Sequence, residues 1–359
     1  MVSGLFAILF PPPKYLARPA FGLDISDRSL KYIKLSPGRR HFTVDLFGEK
    51  SLPAGLLESG KIKDRLGLTK ICRGLRHELK NSYLVVSLPE EHAFIFRVSL
   101  PYMKVSEIRT SIELQLEQHV PLKSDSAVFD YEALTVAQEP GQTSDLAVTV
   151  FPRSLILDYH QVLTDAGFEP LAYEIEAQAI ARSVIQNENT QTVMIIDFGK
   201  TRTSFFITNS KKVLFTSTLS SVGGENLTQS VKKNLNLSYE EAEEMKERDG
   251  LLSSKNKELV YALMPTLSVV RDEINKLYNY WNTHQVGGSQ TVGAILICGG
   301  QATLPGLTDY LAATFSVPVS VGDVWANVMP VSQITPPINF NQSQKYATSL
   351  GLALRQFHD

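Results

Sequence analysis

The feature that most limits the folds open to this chain is a strand–aspartate–turn–strand unit that occurs twice. The clearer copy lies at Val193–Lys212. Met194-Ile195-Ile196 leads into Asp197-Phe198-Gly199-Lys200-Thr201-Arg202-Thr203, and Ser204-Phe205-Phe206-Ile207-Thr208 begins a second strand. A short branched apolar run closed by glycine reads as a buried strand, a tight turn and a return strand. A carboxylate at the lip of such a strand, beside a glycine that lets a ligand approach the backbone, suits a phosphate–metal site. Asp197 is placed to orient a hydrated Mg²⁺, with the turn N–H groups at Gly199 and Lys200 and the hydroxyls of Thr201 and Thr203 toward phosphates. Taken alone, the same residues also make a plain β-hairpin with Asp and Gly in its turn.

The second copy is Phe21-Gly22-Leu23-Asp24-Ile25-Ser26-Asp27-Arg28-Ser29-Leu30-Lys31, again an apolar strand, an aspartate, a turn with hydroxyls and a second strand. A third element comes late. Ala294–Cys298 is an apolar strand that meets Gly299-Gly300-Gln301, where backbone can lie flat against an adenine or a ribose. Between them, Val222-Gly223-Gly224-Glu225-Asn226 opens a helix; its amides suit a phosphate or ribose, or else a close-packed helix start. Two such units followed by strand–Gly-Gly–helix, in this order, form the nucleotide-binding pattern of the actin/Hsp70/sugar-kinase class. Asp24 and Asp197 are then the paired metal ligands.

Composition narrows the alternatives. At 359 residues and 43% hydrophobic the chain holds ample core for two or more domains. A net charge of −2 gives no general attraction to nucleic acid. The two cysteines, Cys72 and Cys298, read as buried thiols of a reducing compartment, and the seven histidines show no paired metal-ligand spacing. No apolar run is long enough to cross a bilayer. Met1–Phe10 is apolar and then broken by three prolines. It has no charged start or cleavage site of a signal peptide, and reads as a frayed tail or as a segment that lies in a membrane interface or on a partner.

Elsewhere the periodicity predicts three strands over 21–50, a helix at Leu68–Lys80 and a strand at Tyr83–Leu88. Residues 94–168 form a separate strand–helix–strand–strand–helix block. Its first helix has Val105, Ile108, Ile112, Leu116 and Val120 on one face and Ser106 as a cap. Tyr131 and Glu132 are ordinary strand residues or the edge of a peptide groove. Tyr239–Arg248 reads as a solvated charged helix, and Leu259–Trp281 as a long helix that Pro265 should kink or restart.

These landmarks together resemble the PilM family of type IV pilus assembly, itself similar to the cell-division protein FtsA. The resemblance rests on Leu23-Asp24-Ile25 with Ser29 and Lys31, Val86-Ser87-Leu88-Pro89, Glu113 and Glu117-Gln118, Asp130-Tyr131, and Glu174-Ile175-Glu176. It continues in Ile196–Gly199, Gly223–Thr228, Gly299–Leu307 and Gly351–Arg355. It implies an α/β, two-lobed, actin-like ATP-binding fold. Residues 1–20 would be a tail, 21–93 with 169–190 subdomain 1A, and 94–168 an inserted SHS2-like subdomain 1C. Residues 191–250 with 290–359 would be subdomain 2A, its end returning to 1A, and 251–289 subdomain 2B. It also implies ATP and Mg²⁺ in the inter-lobe cleft and a scaffold at the cytoplasmic face of the inner membrane. The partner would be the N-terminal peptide of a PilN-like membrane protein, in a groove between 1A and 1C where Glu113 and Glu117 would receive a basic residue. Other assembly proteins and self-association would complete the contacts.

The departures are local. The first phosphate loop reads Asp24-Ile25-Ser26-Asp27 where the family has a glycine, so Ser26 crowds the backbone and Asp27 adds negative charge near phosphates. Gln301 takes the place of a third glycine, and Lys200 can compensate by pairing with phosphate or with Asp27. Slow hydrolysis is therefore expected. A sugar or acetate kinase would need a catalytic aspartate and a substrate pocket in its first lobe, and no such constellation is found. FtsA carries a C-terminal amphipathic anchor, whereas Gly351–Asp359 follows directly on the fold, which favours tethering by a partner.

Overall fold

The structure is a computed structural model and describes residues 19–252, 256–283 and 291–357, so the Met1–Phe10 segment lies outside the described residues. β1 (Phe21–Ile25) and β2 (Ser29–Pro37) form an antiparallel hairpin, and β3 (Phe42–Ser51) extends it. A small hairpin, β4 (Leu57–Glu58) with β5 (Lys61–Ile62), leads to α1 (Arg65–Leu79) and β6 (Tyr83–Leu88). After α1 the chain returns parallel to β1. α1 turns Leu68, Cys72, Leu75 and Leu79 inward, and each buried leucine contributes about 2 kcal/mol of transfer free energy. Asp64 caps its first turn through the Gly67 amide.

The inserted block follows, as β7 (Phe94–Pro101), α2 (Val105–His119), β8 (Ala127–Ala133) and β9 (Thr143–Pro152), with sheet order β7-β9-β8. Its own small core holds Val98, Ile112, Leu116, Phe129 and Val148. The next helix, α3 (Arg153–Asp165), packs into the first lobe through Leu155, Tyr159, Val162 and Leu163. β10 (Glu169–Ile175) then joins β6 in parallel and passes directly into α4 (Glu176–Val184).

The second lobe repeats the first. β11 (Thr192–Phe198), β12 (Thr203–Asn209) and β13 (Lys212–Leu219) form a meander, and β14 (Val292–Cys298) and β15 (Val319–Val321) add in parallel on the far side of β11. The sheet orders β10-β6-β1-β2-β3 and β15-β14-β11-β12-β13 have the same connectivity, so the duplicated sequence unit marks a duplicated sheet. One face of the second sheet is covered by α5 (Gly224–Leu235), α6 (Tyr239–Asp249), α7 (Lys257–Thr283) and α8 (Leu307–Ala312). Its other face joins the first-lobe core through Val193, Ile195, Phe206 and Trp325.

Several expectations are corrected. Ser106 is not a cap: the Lys104 amide donates to Glu107, and Val105 is exposed rather than on the apolar face. α7 runs unbroken through Pro265. The carbonyl deprived of a donor belongs to exposed Tyr261, where water can satisfy it. α6 is not wholly solvated, because Lys246 is fully buried.

α9 (Ala347–Arg355) returns the chain to the first lobe and lies on α4 and β1. Two glycines set that approach. A Cβ at Gly351 would stand 1.7 Å from the Ala179 carbonyl oxygen, and one at Gly22 would stand 2.0 Å from that of Ser349. Gly351→Ala should therefore force the helices apart and cost about 3 kcal/mol in urea unfolding. An unchanged midpoint would show that the contact yields freely.

Candidate functional site

Asp24 and Asp197 occupy equivalent places, each near the end of the first strand of its lobe. Asp24 is anchored: one oxygen accepts from the Ser87 hydroxyl at 3.1 Å and the other faces Lys31 Nζ at 3.4 Å. Asp197 is partly open, and Gly299, in left-handed conformation at φ 87°, makes room for it, since a Cβ there would lie 2.4 Å from Asp197 Oδ1. Burial pushes the Asp197 carboxyl up to about 6, with Arg202 acting against this and Asp24 with it. The two aspartates, Lys31 and Gly299 thus converge on one cleft. Gly300 is exposed, with no atom within 4 Å of the position a Cβ would take, so its face is free to carry a planar group.

Other predicted contacts are taken up by the protein itself. Asp27 turns away from the phosphate position and accepts the Ser59 and Gly60 amides at 3.1 and 3.0 Å, holding the β4–β5 turn. It therefore neither adds bare charge to the phosphate loop nor pairs with Lys200, which is exposed. Ser26 is bonded to the Ser29 carbonyl and lies 3.3 Å from the Ser29 hydroxyl. Thr203 is buried and donates to the Val222 carbonyl, while Thr201 remains in the open turn. The Gly223 amide donates to Asn226 Oδ1 and the Gly224 amide to the Gly199 carbonyl. A Cβ at Gly223 would lie 2.6 Å from the Lys200 carbonyl oxygen, and one at Gly224 would meet the Gln301 side chain at 2.4 Å. Gly223, Gly224, Asn226 and Gln301 therefore make a close-packed helix start, the structural one of the two readings. Lys246, which the sequence reading left in solvent, closes this corner by contacting Thr228 Oγ1 at 3.0 Å and Glu243 at 3.1 Å.

The residue missed altogether is Arg202. From the second-lobe turn it enters the first lobe, 2.6 Å from Glu176 at the start of α4 and 3.3 Å from Glu91 after β6. Around it Glu90, Glu91 and Glu176 each have one buried oxygen without a hydrogen-bond partner among the described residues. Burial raises Glu176 despite Arg202 beside it, and the flanking carboxylates hold the guanidinium charged. Burial also raises Glu90 to about 7, partly offset by the Ala177 amide that its other oxygen accepts at 3.1 Å. The only sequence signal was one charge type, Glu90-Glu91 and Glu176, set against an arginine in the glycine turn.

A second concavity, of about 750 Å³, lies between the inserted block and the first lobe. Arg109, Tyr131 and Glu132 line it from the block, Tyr173 and Gln178 from the first lobe, and Ser210 and Lys211 from the β12–β13 turn. Glu113 and Glu117 do not line it; both are exposed, and Glu117 accepts the Ser124 amide at 3.0 Å. The outer edge of β8 is guarded, with the carbonyls of Ala127, Phe129 and Ala133 accepting from Arg153, Arg109 and Lys212. Lys212 begins β13, whose last residue, Leu219, pairs with Thr203 beside the cleft.

Two lobes of one topology, with an aspartate at the same point of each and a Gly-Gly turn against the second, define an actin-like protein. The chain belongs to a family within that class, described as type IV pilus assembly protein PilM, whose model matches residues 22–357. Among solved structures it is similar to a chain of a PilM–PilN type IV pilus biogenesis complex, at 21% identity and TM-score 0.77, covering 95% of this chain and 99% of that one. It also resembles the ethanolamine utilization protein EutJ from Carboxydothermus hydrogenoformans, at 15% identity and TM-score 0.55, over 96% and 90% of the two chains. A third similar structure is MreB5 of Spiroplasma citri bound to ADP, at 12% identity and TM-score 0.56, over 95% and 97%.

The Glu90 shift gives a signed pH dependence. An acid whose folded pKa is raised contributes no penalty below its unfolded value, 4.5, and a growing one as pH rises through about 7. Glu90→Gln should therefore match wild type near pH 4.5 and exceed it by about 1 kcal/mol or more at pH 8 in denaturant titrations. A constant difference across that range would place the ionisation elsewhere.

Proposed function

We propose that this chain is a nucleotide-binding scaffold of pilus assembly, held at the cytoplasmic face of the inner membrane by an extended N-terminal peptide of a PilN-like protein. The observation that carries the reading is the groove walled by the inserted block, the first lobe and the second-lobe turn. A groove of this kind seats alternate side chains of an extended peptide. Because three edge carbonyls of β8 are already held by side chains, recognition rests on the lining side chains more than on strand addition. Tyr131→Ala should weaken binding of a fluorescent synthetic PilN-like peptide at least ten-fold by anisotropy. Glu113→Lys with Glu117→Lys should change it little, since both lie outside the groove. Equal affinity for Tyr131→Ala would move the peptide elsewhere.

In the cleft the residues fit Mg-ATP. Asp24 and Asp197 supply carboxylates, the unpartnered oxygens of Glu91 and Glu176 suit the waters of a hydrated Mg²⁺, and the open face of Gly300 suits adenosine. Among the described residues no cluster of three or more ligating side chains would hold a metal by itself, so phosphate oxygens and water would complete the shell. Bound Mg²⁺ supplies charge neutralisation at the phosphates. Lys31, Lys200 and Thr201 are the side chains left to orient them. Few amides remain for charge that develops during phosphoryl transfer, because those of Gly199, Gly223 and Gly224 hold the protein together. Calorimetry should show Mg-ATP binding to wild type and at least ten-fold weaker binding to Asp197→Ala, with turnover slower than roughly 1 s⁻¹. Equal binding by the variant would remove the aspartate assignment, and fast turnover would make the chain an enzyme.

A further inference from the structure

β3 ends the first-lobe sheet, and part of its outer edge is open. The Leu52 amide donates to the Arg28 carbonyl at 2.8 Å, which fixes the phase of the β2–β3 ladder. Leu46, Gly48 and Lys50 therefore exchange hydrogen bonds with β2, and the amides and carbonyls of Phe47, Glu49 and Ser51 point away from it. The Ser26 amide agrees with this phase, since it bonds the Ser29 carbonyl on the opposite side of β2 at 3.0 Å. Among the described residues nothing bonds the outward groups of Phe47, Glu49 and Ser51. The open run is short. The bond to Arg28 closes it at Leu52, and a bulge at Asp45 closes it at the other end, beyond which the Phe42 amide is held by the Val328 carbonyl at 2.8 Å.

An open edge is a template for another strand, and proteins guard it with charges or a cover. This chain guards β8 in that way, with three basic side chains on its carbonyls. At β3 the charged side chains are instead drawn back onto their own fold. Asp45 accepts from the Ser36 hydroxyl at 2.5 Å, Glu49 pairs with Lys345, and Lys50 pairs with Glu78 of α1. Leu46 and Phe47, 43% and 37% exposed, are left beside the open groups.

We propose that β3 pairs antiparallel with β3 of a second copy of this chain, across a two-fold axis at Gly48, so that the two first-lobe sheets become one. The occupant follows from the register. In a two-fold pair the same residues face each other with their order reversed, and only those with outward groups can bond. An axis at Phe47 sets Asp45 opposite Glu49, one at Glu49 or at Lys50 sets that charge opposite itself, and one at Ser51 yields a single bonded pair. Like charges directly opposite are destabilising. With the axis at Gly48, Phe47 and Glu49 exchange bonds with Glu49 and Phe47 of the second copy, about four backbone hydrogen bonds in all. The position of closest approach is then held by a residue without a side chain, and Leu46 lies on the aliphatic stem of Lys50. β3 lines no part of the peptide groove, so a foreign strand at this edge would gain backbone bonds without that groove's pockets. The second copy gains the bonds and matches the edge in charge.

The test is sedimentation velocity of the full chain over rising concentration, without nucleotide or peptide. Wild type should pass from monomer to dimer. Glu49→Pro removes one outward N–H, a change that an edge strand tolerates, and should weaken the dimer about thirty-fold because two bonds are lost across the axis. Glu49→Ala keeps the amide and should stay within about five-fold of wild type. Both should retain the wild-type circular dichroism. Oxidation reads the register independently. Leu46→Cys with Lys50→Cys should give a disulfide-linked dimer, since positions 46 and 50 face each other across the axis, and Leu46→Cys alone should not. The native Cys72 and Cys298 are buried and do not compete. A wild type that stays monomeric, a Glu49→Pro variant that dimerises as wild type does, or equal cross-linking by Leu46→Cys alone overturns the proposal.

Discussion

Everything about the cleft depends on one buried guanidinium. The facing surfaces of the two lobes are acidic, with Asp24, Glu90, Glu91 and Glu176 on one side and Asp197 on the other, and such surfaces repel unless a cation sits between them. Arg202 is that cation. Removing one partner of so buried a set typically costs 3–5 kcal/mol in other proteins, because charge is left behind without compensation. The second bridge between the lobes, Arg28 to Glu225 at 3.4 Å, is about one third exposed, and such pairs contribute about 0–1 kcal/mol. Of these two polar bridges the inner one carries more of the energy, and it acts beside the apolar core that the two lobes share.

The duplicated sheet was legible because hydrophobic period, aspartate and glycine all point the same way in both copies, and the third Gly-Gly element followed in order. The two aspartates were legible for the same reason. What the residues around them do was less so. An aspartate in a turn serves equally to hold a metal or to cap a neighbouring hairpin, and Asp27 caps one 32 residues further on. A Gly-Gly at a helix start admits a phosphate or another stretch of backbone, and here backbone lies against it. Arg202 and Lys246 could not be assigned locally, since nothing near Arg202 in the chain shows that its partners lie 26 and 111 residues away.

The inserted block shows the same division. Its strands and helix read clearly from periodicity, but the groove role of Glu113 and Glu117 rested on the family resemblance, and the side of α2 turned to the groove belongs to Arg109. Helix α3 was counted with the block by sequence order, yet its buried face fills the first-lobe core. Order along the chain and membership of a core are separate properties.

β13 has one further consequence. Its eight residues span about 26 Å along β12, paired regularly from Phe215 to Leu219 and interrupted by one bulge at Leu214. At one end Lys212 holds a carbonyl of the inserted block, and at the other Leu219 abuts the turn that carries Arg202. One strand thus joins the block that walls the groove to the turn that reaches the carboxylates, and the two sites share a single hydrogen-bonded element of the second-lobe sheet.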